Sequence, residues 1–293
     1  MSTVAAQQQN YQRIAHAIRY LSANQQKQTS LAVLAAHVGV SECHLQRIFT
    51  EWAGLSPTQF LQFLTKENAK RLLRSSSVMK TAFACGLSDS SRLTDSMIKT
   101  ERVMLGEYRP MGADLQIRYG SCASLFGSCF IAVNHRGLCK LAFFDDADDE
   151  ASLLFELQRE WAAATLIRDD SRATAIYEQA FGPVSKSQGL SQKPSQDPSH
   201  SLVVLLKGSE FQMHVWEALM AIPVGEVCSY QQLAEFMGMP SSARAVASAI
   251  ARNNIAYLIP CHRVIRGTGE FCEYRWGADR KRAMLLREHS IGS

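Results

Sequence analysis

The stretch "IPCHRV", residues 259–264, places Cys261 directly after a proline and directly before a histidine and an arginine. A cysteine in this setting can act as a nucleophile, as a metal ligand or as a small residue of the core. Because six residues do not separate these alternatives, the flanking sequence is needed to decide between them.

The size and composition of the chain are those of a globular protein. With 293 residues it is long enough for two or three domains, and 46% of its residues are hydrophobic and 20% charged. No run of 18 apolar residues occurs, so no membrane partner is expected. The first ten residues, "MSTVAAQQQN", lack the pattern of a secretory signal. The sequence therefore predicts a cytoplasmic protein.

Eight cysteines are scattered along the chain, and no two of them form a CxxC pair. A disulfide framework is not expected in a reducing compartment, so we interpret most of these cysteines as small buried residues. Four residues of the middle segment could be taken as metal ligands, but their spacing fits no compact zinc pattern. They are Cys122, Cys129, His135 and Cys139. The sequence therefore predicts no metal site.

Charge is distributed unevenly along the sequence. Residues 1–110 carry 13 Lys and Arg against 7 Asp and Glu, whereas residues 111–200 carry 8 against 12. A basic first third supports nucleic-acid binding by that part of the chain. The acidic middle third is not expected to lie on phosphates.

The first hundred residues show helical patterns only, and one segment has the form of a helix, a turn and a second helix. The segment "LAVLAAHV", residues 31–38, predicts a short helix. Gly39 marks the turn, and Ser41 begins the second helix. This is the helix-turn-helix pattern, whose second helix can enter the major groove of DNA.

A second copy of this pattern follows a long helix that begins at Ser56 and Pro57 and runs towards Arg74. The copy spans residues 78–100, with its turn at Gly86 and its second helix starting near Ser90. Two such units joined by a long helix resemble the AraC-type DNA-binding domain. The resemblance implies that four side chains of the first recognition helix face DNA: Glu42, His44, Gln46 and Arg47. As an alternative, Arg47 ties the helices together.

Residues 115–182 have a different pattern, which indicates a small α+β unit. The segment "SCFIAVNHRGLCKLAFFDD", residues 128–146, predicts two strands around a turn near Arg136 and Gly137, and two amphipathic helices follow. No obvious chemistry lies in this unit. Residues 183–201 are rich in Ser, Gln and Pro and are typical of a flexible linker.

After the linker, the sequence predicts a strand, a helix and another helix-turn-helix, whose second helix spans residues 241–251. That helix consists almost wholly of Ser, Ala, Val and Ile, with Arg244 as its one basic residue. Small side chains let a helix backbone come close to its neighbour. Two alternatives account for this composition: tight packing against another helix, or docking of the helix into a narrow groove.

Residues 205–290 resemble the methylated-DNA–protein-cysteine methyltransferases. The motifs "SYQQLA", "ARAVASAIARNN", "IPCHRVIRGTGEFCEYRWG" and "KRAMLLREH" occur in the order and spacing of that family. With the AraC-type segment in front, the whole chain resembles the Ada-type family of bifunctional regulators and methyltransferases. It begins after the position of that family's cysteine-rich zinc domain, so no zinc-bound sensor is expected.

The resemblance implies transfer of a methyl or other alkyl group from O6 of guanine in DNA to Cys261, in one suicidal turnover without a cofactor. O4 of thymine is a second candidate substrate. An attack on carbon needs a thiolate, and the resemblance assigns His262 as its base and Glu288 as the carboxylate that orients the base. In an extended strand, Cys261 and His262 would point to opposite faces, so a kink at Pro260 or a bridging water is required. Arg263 is expected to form a structural salt bridge.

The resemblance also assigns substrate and DNA binding to six further residues: Tyr230, Arg244, Asn253, Val264, Tyr274 and Arg275. Tyr230 would rotate and hydrogen-bond the target base, Arg244 would fill the vacated stack, and Asn253 would fix the loop before the cysteine. Val264 and the backbone around Tyr274 and Arg275 would line the guanine pocket. Cys272 and Glu273 replace small residues of the family beside this pocket, which is expected to weaken the activity.

The predicted architecture is multidomain, α and α+β. It comprises an all-α double helix-turn-helix domain over residues 1–110, a ribonuclease H-like α+β domain over 115–182, a linker over 183–201 and a winged-helix-like transferase domain over 202–293. Expected partners are double-stranded DNA carrying O6-alkylguanine, promoter DNA and RNA polymerase. Two alternatives stay open: a transcription regulator that only senses alkylated DNA, and a cysteine hydrolase using Cys261, His262 and Glu288.

Overall fold

The computed structural model describes residues 4–24, 29–53, 56–57, 60, 98–104, 115–181, 202–271 and 274–292. The turn and the start of the second helix predicted for the second helix-turn-helix copy lie outside these ranges, as do the linker and the pair Cys272 and Glu273. In the described part of the chain, no helix is both long and apolar enough to cross a membrane.

The described residues of the first unit include three helices: α1 (Val4–Ala23), α2 (Leu31–Val38) and α3 (Glu42–Ala53). The hydroxyl of Ser30 accepts a hydrogen bond from the Val33 amide and begins α2. Gly39 ends α2 with a φ of 75°, a conformation that glycine adopts without steric cost. The predicted helix, glycine turn and second helix are therefore confirmed.

Of the long helix predicted from Ser56 towards Arg74, the structure describes only Ser56, Pro57 and Phe60. The amide of Phe60 donates to the carbonyl of Ser56 at 3.0 Å, which is the hydrogen bond of a first helical turn. The rest of this prediction lies outside the described residues.

Six strands form one mixed sheet in the order β1-β6-β4-β3-β2-β5. The three central strands are antiparallel neighbours, β5 runs parallel to β2, and β6 runs parallel to β4 and to β1. The predicted turn near Arg136 and Gly137 joins β3 to β4, as expected. The strands are β1 (Ile98–Met104), β2 (Gln116–Ser124), β3 (Gly127–Val133), β4 (Leu138–Phe144), β5 (Thr165–Arg168) and β6 (Leu202–Gly208).

The prediction that the first hundred residues are only helical is wrong at its end, because β1 begins at Ile98. This strand pairs in parallel with β6, with Ile98 opposite Leu202. Ile98, Thr100 and Val103 are β-branched and suit a strand. The pairing also satisfies backbone groups on the outer edge of β6, and this long-range contact overrides local helical patterning.

Two helices cover the sheet, and both had been predicted: α4 (Ala147–Glu160) and α5 (Asp170–Phe181). The side chain of Asp146 caps α4 by accepting from the Asp149 amide. Leu153 and Leu157 of α4 and Ile176 of α5 are buried. Strand β5 between the helices was missed, because four residues carry too short a pattern to be recognised.

The last part of the chain contains four helices and a two-stranded parallel ribbon. Its elements are α6 (Glu210–Met220), β7 (Cys228–Ser229), α7 (Tyr230–Phe236), α8 (Ala243–Ala251), β8 (Val264–Ile265) and α9 (Ala278–Gly292). Capping boxes at Ser209 and Ser229 begin α6 and α7. The predicted helix-turn-helix is confirmed by α7 and α8, although α8 begins at Ala243, after a 3-10 turn, and not at Ser241.

The first unit packs directly on the last one. Arg19 of α1 forms an ion pair with Asp279 of α9, with 2.9 Å between nitrogen and oxygen. On α3, the indole of Trp52 donates to the Leu125 carbonyl at 3.1 Å, and the Trp52 carbonyl accepts from Arg287 of α9. Helix α9 thus lies between the helix-turn-helix unit and the turn that carries Cys261.

Candidate active site

Cys261 lies in a 3-10 turn formed by residues 261–263, directly after Pro260. The amide of Arg263 donates to the Pro260 carbonyl at 3.0 Å and closes this turn. Successive side chains of a 3-10 turn are about 120° apart, because the turn has about three residues, whereas those of a strand are on opposite faces. The backbone therefore turns after Pro260, which is one of the two expected alternatives, but no hydrogen bond joins Sγ of Cys261 to His262 among the described residues.

The thiol of Cys261 is buried and is contacted by two polar groups. The side-chain amide of Asn253 donates to Sγ at 3.1 Å, and Sγ lies 4.0 Å from the hydroxyl of Tyr274. Burial raises the pKa of the Cys261 thiol, although these two hydrogen bonds and the charge of Lys281 act in the opposite direction. Cys261 is consequently a protonated thiol at neutral pH, and a base is needed to form the thiolate.

The side chains of His262 and Glu288 are fully buried and hydrogen-bonded to each other. Nε2 of His262 lies 2.8 Å from Oε1 of Glu288. Arg263 binds the same carboxylate with two nitrogens, Nε and Nη2, each at 2.9 Å. Burial alone would raise the pKa of Glu288, but the charges and hydrogen bonds of His262 and Arg263 lower it to about 2. The salt bridge expected for Arg263 is thus present.

The protonation of His262 follows from this pairing. An ionised carboxylate only accepts hydrogen bonds, so Nε2 carries the proton and Nδ1 keeps its lone pair. Nδ1 is buried and has no hydrogen-bond partner within the described residues. Burial lowers the pKa of His262, and the carboxylate of Glu288 acts against this effect. The result is a neutral imidazole whose free nitrogen can accept a proton.

Asn253 holds the loop between α8 and Cys261. Its Oδ1 accepts from the Ile255 amide at 2.9 Å, and its Nδ2 donates to the carbonyls of Ile255 and Ile259 at 3.1 and 3.2 Å. The same Nδ2 reaches the sulfur of Cys261, so one buried amide fixes both the loop and the thiol.

Arg275 points towards this loop and across it to the α+β unit. Its Nη1 donates to the Asn253 carbonyl at 3.0 Å and to Oδ1 of Asn254 at 2.8 Å. Its Nη2 lies 2.6 Å from a carboxylate oxygen of Glu156 on α4, and Glu156 also binds the buried Lys140 at 2.8 Å. Arg275 therefore links the loop to α4.

The remaining predicted binding residues surround the turn at different depths. Tyr274 lies near the thiol, and its ring packs on Trp276. Val264 is buried in β8, where it pairs with Cys228 of β7. Tyr230 is the half-buried first residue of α7, and Arg244 is exposed on α8.

One residue that contacts the buried pair of His262 and Glu288 was missed by the sequence analysis. The ring of Tyr257 stacks on the imidazole of His262, with 5.1 Å between the ring centroids and 6° between the planes. Tyr257 has a φ of 65°, the one positive value at a non-glycine position in the described ranges. A glycine at this position would have signalled such a backbone, but a tyrosine gives no local signal.

The face of α3 predicted to contact DNA is accessible. Glu42, Gln46 and Arg47 are exposed, and His44 is partly buried. Nη2 of Arg47 lies 3.1 Å from Nδ1 of His44, one turn away on the same helix. The contact between α1 and α3 on this face runs instead from Arg13 to Nε2 of His44, at 3.4 Å.

Comparisons with known proteins identify two families along the chain. The 6-O-methylguanine DNA methyltransferase, DNA binding domain matches residues 210–290, and a helix-turn-helix domain matches residues 34–111. The chain is 37% identical over 284 residues to the bifunctional transcriptional activator/DNA repair enzyme Ada of Escherichia coli. That alignment covers 97% of this chain and 76% of the relative.

Two further proteins match parts of the chain. The methylated-DNA–protein-cysteine methyltransferase of Mycolicibacterium paratuberculosis is 50% identical over 90 residues, which are 30% of this chain and 54% of that protein. A crystal structure of Mycobacterium tuberculosis OGT in complex with DNA is 28% identical and covers 59% of this chain and 93% of that one, with a TM-score of 0.43.

Proposed function

Since this chain belongs to the Ada family of bifunctional transcription regulators and DNA-repair enzymes, we propose that Cys261 accepts an alkyl group from O6 of guanine in DNA. The protein is a methylated-DNA–protein-cysteine methyltransferase with a helix-turn-helix regulatory unit. The observation that carries the residue assignment is the buried hydrogen bond between His262 and Glu288. His262 directly follows Cys261, and its Nδ1 has no hydrogen-bond partner among the described residues.

The transfer step is a displacement at carbon. The thiol proton of Cys261 passes to Nδ1 of His262, directly or through a water, and Glu288 stabilises the resulting imidazolium. The sulfur then forms a bond to the alkyl carbon while the bond from that carbon to O6 breaks. The electron pair of the broken bond stays on the guanine, which takes up a proton and becomes neutral.

The product explains why one turnover consumes the protein. An S-alkylcysteine is a thioether, and it has no activated carbonyl that water could attack. The same attack is open to an alkyl group on O4 of thymine, which we include as a second substrate.

Access to the reacting atom requires the base to leave the duplex, because O6 and its alkyl group are not reachable by a buried thiol within a base stack. The exposed Arg244 on α8 suits insertion into the vacated position, and Tyr230, at the start of α7, suits contact with the extruded nucleotide. Asn253, Val264 and Tyr274 complete the pocket in this proposal.

Regulation is assigned to the first unit. The exposed face of α3, with Glu42, Gln46 and Arg47, would contact promoter DNA, and His44 would position Arg47. Contact with RNA polymerase is proposed from family membership alone. The boundaries at residues 182 and 202 belong to the same proposal. The predicted boundary at residue 110 conflicts with the pairing of β1 and β6, which places residues 98–104 in the sheet of the second unit. The mixed sheet under α4 and α5 supports the ribonuclease H-like description, and α7, α8 and the β7–β8 ribbon support the winged-helix-like one.

The decisive experiment uses duplex DNA with a radiolabelled O6-methylguanine and compares the wild-type chain with Cys261→Ala. One equivalent of label on the wild-type protein and none on the variant is the expected result. No label on a folded wild-type protein would contradict the transfer function and favour a protein that only senses alkylated DNA. Many turnovers per chain would favour hydrolysis.

A further inference from the structure

The rings of Tyr257 and His262 are nearly parallel. Their planes are 6° apart and their centroids 5.1 Å apart, which is an offset stack in which the tyrosine ring overlaps part of the imidazole face. On its edge, His262 is held by Glu288 through Nε2. Glu288 fixes one atom of the ring, whereas Tyr257 fixes its plane.

The backbone at Tyr257 supports a specific requirement for this ring. A bulky residue at a φ of 65° is disfavoured by the clash of its Cβ with the backbone, so surrounding contacts must maintain the conformation. The neighbours of the ring provide them: Phe126 at 5.2 Å and Phe181 at 5.5 Å between centroids.

We propose that Tyr257 is a positioning residue, which holds the plane of the His262 ring and favours the protonated form of His262. Helix α3 in turn holds the ring of Tyr257 in place, through the contacts from Tyr257 to Phe126 and from Phe126 to Trp52. This inference deepens the proposed transfer function and rests on it. When His262 takes the thiol proton, an imidazolium lies against an aromatic face, and a desolvated cation over an aromatic ring is attracted by its quadrupole. Burial raises the pKa of Tyr257, so its ring faces His262 as a neutral phenol.

Two independent contacts, both made by Trp52, connect α3 to the surroundings of His262. The ring of Trp52 meets Phe126 edge-on, with 5.8 Å between centroids, and Phe126 contacts Tyr257. The carbonyl of Trp52 accepts from Arg287, the residue directly before Glu288 on α9. Trp52 therefore contacts two supports of His262: Tyr257 through the ring of Phe126, and Glu288 through the neighbouring Arg287 on α9.

Four charged side chains near His262 also affect its pKa or that of Tyr257, so a test of the aromatic contacts must leave these four residues unchanged. They are Arg263 in its own turn and three residues of α9: Glu288, Lys281 and Arg287, the last of which interacts with Tyr257. Substitutions at Tyr257 and Trp52 alter none of these charges. A change in the pH dependence of the thiol is then attributable to the aromatic contacts.

The test measures methylation of Cys261 by methyl iodide in the full chain, followed by peptide mass analysis between pH 5 and 9.5. Methyl iodide needs no DNA, so altered DNA affinity cannot affect the result. The variants are Tyr257→Leu, Tyr257→Phe, Trp52→Leu and Trp52→Phe. Phe155→Leu is the matched control, because Phe155 is an aromatic residue of α4 that is 65% exposed. Circular dichroism and thermal melting establish that each variant is folded.

We expect Tyr257→Leu to slow methylation at pH 7 about tenfold and to move the midpoint of the pH profile upwards, because a less basic His262 leaves the thiol protonated to higher pH. Trp52→Leu should change both quantities in the same direction by about threefold in rate. Both phenylalanine variants and the Phe155→Leu control should match the wild type.

A folded Tyr257→Leu variant with the wild-type profile would overturn the positioning role, and so would an equal loss in Tyr257→Phe, since that variant keeps the ring. A wild-type profile in Trp52→Leu would overturn the support from α3. Failure of the proposed function is separable: the chain would then take no methyl group from O6-methylguanine DNA, whatever the profile with methyl iodide.

Discussion

Replacing Glu288 by glutamine tests how much the ionised carboxylate of Glu288, buried beside His262 and Arg263, contributes to the free energy of unfolding. The carboxylate of Glu288 accepts from His262 and from two nitrogens of Arg263, and its side chain is 1% exposed. Its pKa falls from an ordinary value of 4.5 to about 2 in the folded protein. At about 1.4 kcal/mol per pKa unit, the ionised form stabilises the fold by about 3 kcal/mol.

The sign of the pH dependence follows from this lowered pKa. A carboxyl whose pKa is lower in the folded state contributes its full stability above its unfolded value, near 4.5, and loses it as the pH falls towards 2. Glu288→Gln should therefore lower the free energy of unfolding by about 3 kcal/mol at pH 7, and the difference from the wild type should shrink as the pH is lowered from about 4.5.

Urea unfolding followed by tryptophan fluorescence at pH 7, 4.5 and 3.5 measures this difference. Glu270→Gln is a suitable control, because Glu270 forms an exposed pair with Arg266 at 3.4 Å, and such pairs contribute little. Glu288→Gln should also slow methyl transfer from DNA about a hundredfold, since His262 loses the group that orients it. A variant as stable as the wild type at every pH, with a rate within threefold, would refute the reasoning.

Three further substitutions separate the thiol, the loop and the DNA contact. Asn253→Ala removes the amide that donates to Cys261, so single-turnover transfer at pH 7 should fall about tenfold and the thiol should titrate at higher pH. Glu156→Gln weakens the contacts with Arg275 and with the buried Lys140, which should lower the free energy of unfolding by about 2 kcal/mol and leave the thiol titration unchanged. Arg244→Ala should slow transfer from duplex DNA at least tenfold, whereas methylation by methyl iodide should stay at the wild-type rate.

The sequence alone predicts the elements that depend on local chemistry. The glycine turn at Gly39 and the cap at Ser41 involve residues close together in the chain, so their hydrogen bonds can be anticipated from spacing. The kink at Cys261 could be anticipated in the same way, because Pro260 and the need for contact with His262 both favour it.

Long-range contacts account for what the sequence did not reveal. Strand β1 exists because β6, about a hundred residues later, offers it an edge. The role of Arg275 is set by Glu156 on a helix of another unit, and Tyr257 reads as an ordinary apolar neighbour of the motif until its ring is placed on His262. Local patterns carry no information about such partners.

The pairing of β1 with β6 has a practical consequence for dissecting the protein. A fragment starting at residue 115 would retain the transferase half but would expose the outer backbone edge of β6, "LVVLLKG", a short apolar strand that invites pairing with a second copy. A fragment starting at residue 98 would keep this edge covered and should remain monodisperse at concentrations where the shorter one aggregates. Of these two fragments that contain Cys261, the shorter one is thus expected to aggregate more readily, and fragments for crystallisation or kinetics should begin before Ile98.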